Sequence, residues 1–191
     1  MDTLKAEKRS MDVKAKKLRR EGFVVGNVYG KAIPGSIPVK MNRMDMERLL
    51  KTDNKGSQIL LEVDGTIYYV LIKEISFNSM ANQVEEVDFQ ALVSNEKVHS
   101  VAEIILTGRE KITTGVLQET LNEISYRALP AALVDKIIVD VGMMRNGDII
   151  RVKDLDIAKN GEITLMTDPE AVVATVTTVY NRQEEEAEPV S

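Results

Sequence analysis

Four cations fall within five residues near the start of the chain: Lys16, Lys17, Arg19 and Arg20. Ammonium and guanidinium groups donate several hydrogen bonds each and stay charged at neutral pH. The chemistry they offer as a group is therefore the binding of phosphate or another anion. If the segment is helical, Lys16 shares a face with Arg19 and Arg20, because residues three and four apart lie side by side. Leu18, with Val13 or Ala15, supplies the inward side. Arg9 before the helix and Tyr29 after it can flank the same surface. Two blander readings stand beside these: a charged face that meets only water, and a Tyr29 that is a core aromatic with a wet hydroxyl.

The side chains that covalent or metal chemistry requires are scarce. His99 is the only histidine and there is no cysteine, so thiolate zinc sites, disulfides and cysteine nucleophiles are excluded and His-based triads have little material. His99 reads as a surface or packing residue. No Gly-rich lysine loop and no dinucleotide fingerprint occurs. Glu85-Glu86-Val87-Asp88 has no recognisable metal-loop spacing and reads as a strand face with one inward acid. The expectation is a protein without enzymatic activity, cofactor, metal or small-molecule substrate.

Charge is distributed unevenly. The first 31 residues hold nine Lys or Arg (Lys5, Lys8, Arg9, Lys14, Lys16, Lys17, Arg19, Arg20, Lys31) against Asp2, Glu7, Asp12 and Glu21, in a chain of 191 residues with a net charge of −5. Met1 to Leu92 carries a net +2 and Val93 to Ser191 a net −7. Positive charge gathered at one end of an acidic protein points to an anionic partner for that end, and nucleic acid leads. Aromatic residues are 4% with no Trp, which disfavours a stacking platform for single strands and suits a double-helical target. No apolar run approaches the roughly 20 residues of a membrane helix, and the charged start lacks the apolar core of a secretion signal. A cytoplasmic protein with no membrane partner is expected.

The elements that would position these residues are mostly strands. Thr3–Lys8 reads as an edge strand and Val13–Glu21 as a short helix, with Asp12 as N-cap and Gly22 as its stop. Phe23–Tyr29 and Ile37–Met41 read as strands around a turn at Gly30 to Gly35. Asp45–Lys51 reads as a second helix. Gln58–Val63 and Thr66–Ile75 form a hairpin about Asp64-Gly65, and Val84–Leu92 closes this part. The pattern predicts a compact barrel or a β-rich α+β domain over 1–93. A polar break at Ser94-Asn95-Glu96 separates it from a second β-rich, sandwich-like unit over 94–181. Its strands are expected at Val101–Thr107, Lys136–Val141, Asp148–Val152, Ile163–Met166 and Val172–Val179. Val116–Ala128 carries both helix and strand signals. Residues 182–191, with Gln183-Glu184-Glu185-Glu186, read as an acidic disordered tail.

The order of several motifs resembles one known family. Lys5-Ala6-Glu7-Lys8-Arg9, Ala15-Lys16-Lys17-Leu18-Arg19-Arg20-Glu21-Gly22, Val28-Tyr29-Gly30 and Val87-Asp88-Phe89 are similar to the bacterial large-subunit ribosomal protein numbered twenty-five, which binds 5S ribosomal RNA. Leu129-Pro130, Ile138-Val139-Asp140-Val141, Gly147-Asp148, Val152-Lys153-Asp154-Leu155 and Thr167-Asp168-Pro169 resemble the extra domain of its long branch, the general stress protein Ctc type. The resemblance implies an RNA-gripping barrel, with 5S ribosomal RNA and large-subunit proteins as partners. By position it places Arg9, Lys16, Lys17, Arg19 and Tyr29 toward RNA, makes Asp88 the acid of the terminal motif, and Arg20 and Lys73 are counted with them. The chain departs from the family at Met11-Asp12 (commonly Gly-Lys), at Ser76 and Phe77 (Gln-Arg) and at Glu86 (His). A diverged paralogue with weakened RNA binding, acting as a stress-related protein-interaction module, is the alternative.

Overall fold

Alternation of apolar and polar residues dictates the first half of the structure. In a computed structural model, which describes residues 3–113 and 115–178, six strands form a closed barrel: β1 (Thr3–Lys8), β2 (Phe23–Tyr29), β3 (Ser36–Asn42), β4 (Gln58–Val63), β5 (Thr66–Asn78) and β6 (Gln83–Ala91). The order around the barrel is β1-β3-β2-β6-β5-β4. Every second side chain points inward, so Leu4, Ala6, Val24, Val28, Ile59, Leu61, Ile72, Val87 and Phe89 share one core. Asp64 and Gly65 both take positive φ, 47° and 83°, which is the two-residue turn that matches the twist of a β4–β5 hairpin.

β1 is not an edge strand. It pairs with β3 on one side and β4 on the other. Its alternating charges, Lys5 and Glu7, face outward from a sealed barrel wall, and from sequence that pattern is indistinguishable from an edge.

The two barrel helices also begin elsewhere than expected. Helix α1 spans Ala15–Arg20, with Lys14 in the N-cap position and no side-chain cap. Asp12 is used one turn earlier: its carboxylate accepts from Ser10 Oγ (3.0 Å), and its N–H donates to the same oxygen. The Val13 N–H donates to Ser10 O, so residues 10–13 form a turn rather than the first turn of the helix. Helix α2 is Arg43–Leu49, two residues earlier than the apolar spacing indicates, because the Asn42 side chain caps it by accepting from the Met44 N–H (2.9 Å).

The second half packs two sheets around a second core. One has the order β10-β7-β9-β12, from β7 (Val98–Thr107), β9 (Glu123–Ala128), β10 (Lys136–Asp140) and β12 (Thr164–Leu165). The other has the order β11-β13-β8, from β8 (Val116–Glu119), β11 (Ile149–Arg151) and β13 (Val172–Thr177). Ile104, Ile124, Tyr126 and Val139 from the first sheet meet Val173 and Ala174 from the second. A one-turn helix, α3 (Asp156–Lys159), adds Ile157. The ambiguous stretch 116–128 is two strands, β8 and β9, separated by a break at residues 120–122. The expected end of the last strand at Val179, residues 180 and 181, and the acidic tail over 182–191 lie outside the described residues.

The halves meet through the loop that follows α2. Ser57 Oγ donates to Asp135 (3.1 Å), Gln58 Nε2 donates to Pro130 O (3.0 Å), and Lys136 Nζ donates to Thr52 O (2.6 Å). Asn54 also donates to Glu103. A Cβ on Gly56 would lie 2.0 Å from Val101 O, and its φ is +94°, so only glycine fits where this loop crosses β7.

Candidate nucleic-acid interface

Helix α1 is short and carries no acid in its first turn. It is held to the barrel by Leu18, its one buried residue (6% exposed). With Leu18 pinned inward against β2, Lys16, Lys17 and Arg20 are exposed. Lys16 and Arg20 stand four apart, a like-charge spacing that destabilises an isolated helix. An anion lying along that face would relieve it. Lys17 makes only a long i,i+4 contact with Glu21 (3.9 Å).

Arg19 behaves differently from its neighbours. Its Nε donates to Glu85 O (3.1 Å), and its guanidinium faces the carboxylates of Glu85 (3.8 Å) and Glu86 (3.6 Å) on β6. Its side chain is only 27% exposed. Arg9 is half-buried and turned back on the chain, donating to Val13 O (3.1 Å) and bracing the turn before α1.

From α1 the surface continues along the outer face of β2 and β6. These strands run parallel, with Val25 opposite Glu86 and Tyr29 opposite Gln90. At about 7 Å per two residues, Glu86, Asp88 and Gln90 make a strip roughly 14 Å long. Gly26 permits the pairing: a Cβ there would sit 1.9 Å from Val87 O. Asp88 Oδ1 accepts from the Asn27 backbone N–H (3.0 Å) and from Asn27 Nδ2 (3.3 Å). The carboxylate thus takes a backbone donor beside this close crossing. Tyr29 lies half-buried at the end of the strip. Burial, and then the nearby charges of Asp88 and Glu74, push its phenol above the ordinary tyrosine range. It therefore stays protonated and able to donate.

The structure does not bring Lys73 into this strip. Its ammonium donates to His99 O (2.7 Å) across the junction between the halves, where burial and then the charge of Lys55 lower its pKa. His99 is exposed, and its own pKa is lowered by desolvation, then by Arg127 and Lys73.

One further cation lies at this surface that the sequence reading does not include. Arg43, the first residue of α2, lines a shallow depression of about 490 Å³ together with Lys16, Arg19, Arg20, Gln83 and Glu85. Nothing local in the sequence joins Arg43 to α1, and only barrel closure makes them neighbours.

Two family descriptions match the chain in succession: Ribosomal L25p family over residues 4–89, and Ribosomal protein TL5, C-terminal domain, over residues 97–179. The protein is 32% identical to large ribosomal subunit protein bL25 of Bacillus velezensis, covering 99% of this chain and 95% of that relative. The chain belongs to the bL25 family. It is 31% identical to bL25 of Carboxydothermus hydrogenoformans (95% of this chain, 94% of the relative) and 28% identical to bL25 of Caldanaerobacter subterraneus (97% and 94%). Within bL25 it is of the long type, with a TL5-like second part. The family consists of ribosomal structural proteins and not enzymes.

Proposed function

We propose that this protein is a non-catalytic component of the cytoplasmic large ribosomal subunit, and that its barrel, residues 1–93, docks on 5S ribosomal RNA. The observation that carries this reading is the helix α1 of six residues, docked by Leu18 with Lys16, Lys17 and Arg20 turned outward. Cations along phosphates supply affinity, and the half-buried Tyr29 and the acceptor Asp88 are spaced along the adjoining strip to meet sugar or base edges. The second unit, 94–181, belongs to the acidic half of the chain, so phosphate repels it. It faces protein neighbours of the same subunit.

The test is titration of 5S RNA with the protein at several salt concentrations, together with a variant carrying Lys16→Glu, Lys17→Glu and Arg20→Glu. All three side chains are exposed, so the fold should survive. The variant should bind more than about 100-fold more weakly at low salt, and its log–log salt slope should fall by about 3. A wild-type protein that leaves 5S RNA unshifted at low salt would overturn the proposal. A second reading, a protein-interaction module, draws on the exposed Phe77 (54%) and fully exposed Met80 at the β5–β6 tip. Absence from large subunits on a gradient, with recovery in a protein complex, would favour it.

A further inference from the structure

Helix α1 lacks local devices at its amino-terminal end, while Gly22, at a φ of +89°, closes its carboxy-terminal end. It has six residues, no side-chain N-cap and no acid in its first turn, and isolated helices of this length do not persist in water. Its far end is tied to α2. The Arg43 backbone N–H donates to Gly22 O (3.0 Å), just beyond the end of α1. The Arg43 guanidinium donates to Arg19 O, one of the last carbonyls of the helix. The Gly22 N–H also reaches that oxygen (3.3 Å), so the cation adds a second donor there and complements the negative end of the helix dipole. Arg43 Nε is itself buried without a partner. The residue as a whole stays partly exposed, so it is the stem of the guanidinium that is enclosed while its far end reaches the helix carbonyl.

We propose that Arg43 is a positioning residue for the nucleic-acid interface. It fixes the carboxy-terminal end of α1 so that Lys16, Lys17 and Arg20 are presented together. This rests on the reading of α1 as the RNA-facing helix, but the helix-holding role is a property of the free protein and can be measured without RNA.

The experiment uses the full chain with Arg43→Met and Arg43→Lys, read in two ways. In hydrogen exchange of the free protein, the amides of Leu18, Glu21 and Gly22 should lose protection in Arg43→Met, while those of β4 keep it. Arg43→Lys should restore part of that protection. In 5S RNA titrations, Arg43→Met should weaken binding at least about tenfold and lower the salt slope by more than 1, because several cations lose their common geometry together. A slope reduced by about 1 with α1 protection unchanged would make Arg43 a phosphate contact and overturn the positioning role. Unchanged protection with unchanged affinity would also overturn it. If Arg43→Met loses protection throughout the barrel, Arg43→Lys decides: wild-type α1 protection with a wild-type RNA salt slope supports the proposal, and wild-type α1 protection with a reduced slope refutes it. If the wild type fails to bind 5S RNA, the proposed function falls while the exchange data still judge the role of Arg43.

Discussion

Replacing Glu86 with glutamine separates folding from binding, because the two should move in opposite directions. The Glu86 carboxylate lies 3.6 Å from the Arg19 guanidinium, with side chains 39% and 27% exposed. Two unit charges at that distance attract by about 1 kcal/mol in bulk water and by about 4–5 kcal/mol at an effective dielectric of 20. Solvent exposure and salt reduce the measurable value to about 0.5–1 kcal/mol, and Glu86→Gln should destabilise the barrel by no more than that. Toward RNA the same change removes a charge that repels phosphate and releases Arg19 from one of its two carboxylates. A gain of about 1 kcal/mol corresponds to roughly fivefold tighter binding at low salt. The salt slope should steepen by up to about 0.9, the value for one more neutralised phosphate. Glu86 is a better target than Glu85, whose carboxylate also accepts from Asn78 Nδ2 (2.8 Å) and holds the β5–β6 hairpin. Urea melts give the stability change, and fluorescence anisotropy with labelled 5S RNA at four or five salt concentrations gives affinity and slope. Unchanged or weaker binding at low salt, with an unchanged slope, would show that Arg19 does not face RNA.

Three other perturbations probe the scaffold. Gly26→Ala should drive β2 from β6, because its Cβ would lie 1.9 Å from Val87 O; a loss of about 3 kcal/mol or more in urea denaturation is expected. Gly56→Ala should open the junction between the halves, since its Cβ would lie 2.0 Å from Val101 O at a φ of +94°; calorimetry should resolve two transitions where the wild type shows one. Tyr29 has a folded-state pKa raised by burial, then by Asp88 and Glu74. Above the unfolded value of about 10 the unfolded chain gives up this proton first, so the stability held below that pH declines as pH rises toward the folded pKa. Ultraviolet titration should find Tyr29, Tyr69 and Tyr126 ionising late, and Asp88→Asn should bring one of them, Tyr29, earlier.

Local signals carried much of the chain. Apolar alternation placed the barrel strands, Asp64-Gly65 placed their hairpin, and Leu18 marked the inward side of α1, because side-chain period and turn chemistry are properties of a few adjacent residues. The cations of α1 were legible for the same reason. Where two local signals compete, tertiary contacts choose between them. Asp12 has the chemistry of an N-cap but is consumed by a turn with Ser10. The stretch 116–128 mixes helix and strand preferences until pairing with β13, β7 and β12 decides it.

Strand periods, the charge asymmetry and the basic face of α1 follow from neighbouring residues alone. Folding adds the rest: β1 seals a barrel, Arg19 is engaged by Glu85 and Glu86, Lys73 serves the junction and Arg43 reaches the end of α1. Each of these depends on groups brought together by closure: Arg19 and Glu85 are 66 residues apart, Lys73 and His99 are 26, and Arg43 and Arg19 are 24. A charge has the same identity in sequence whether it is free or paired, and its partner is set by which strands lie side by side.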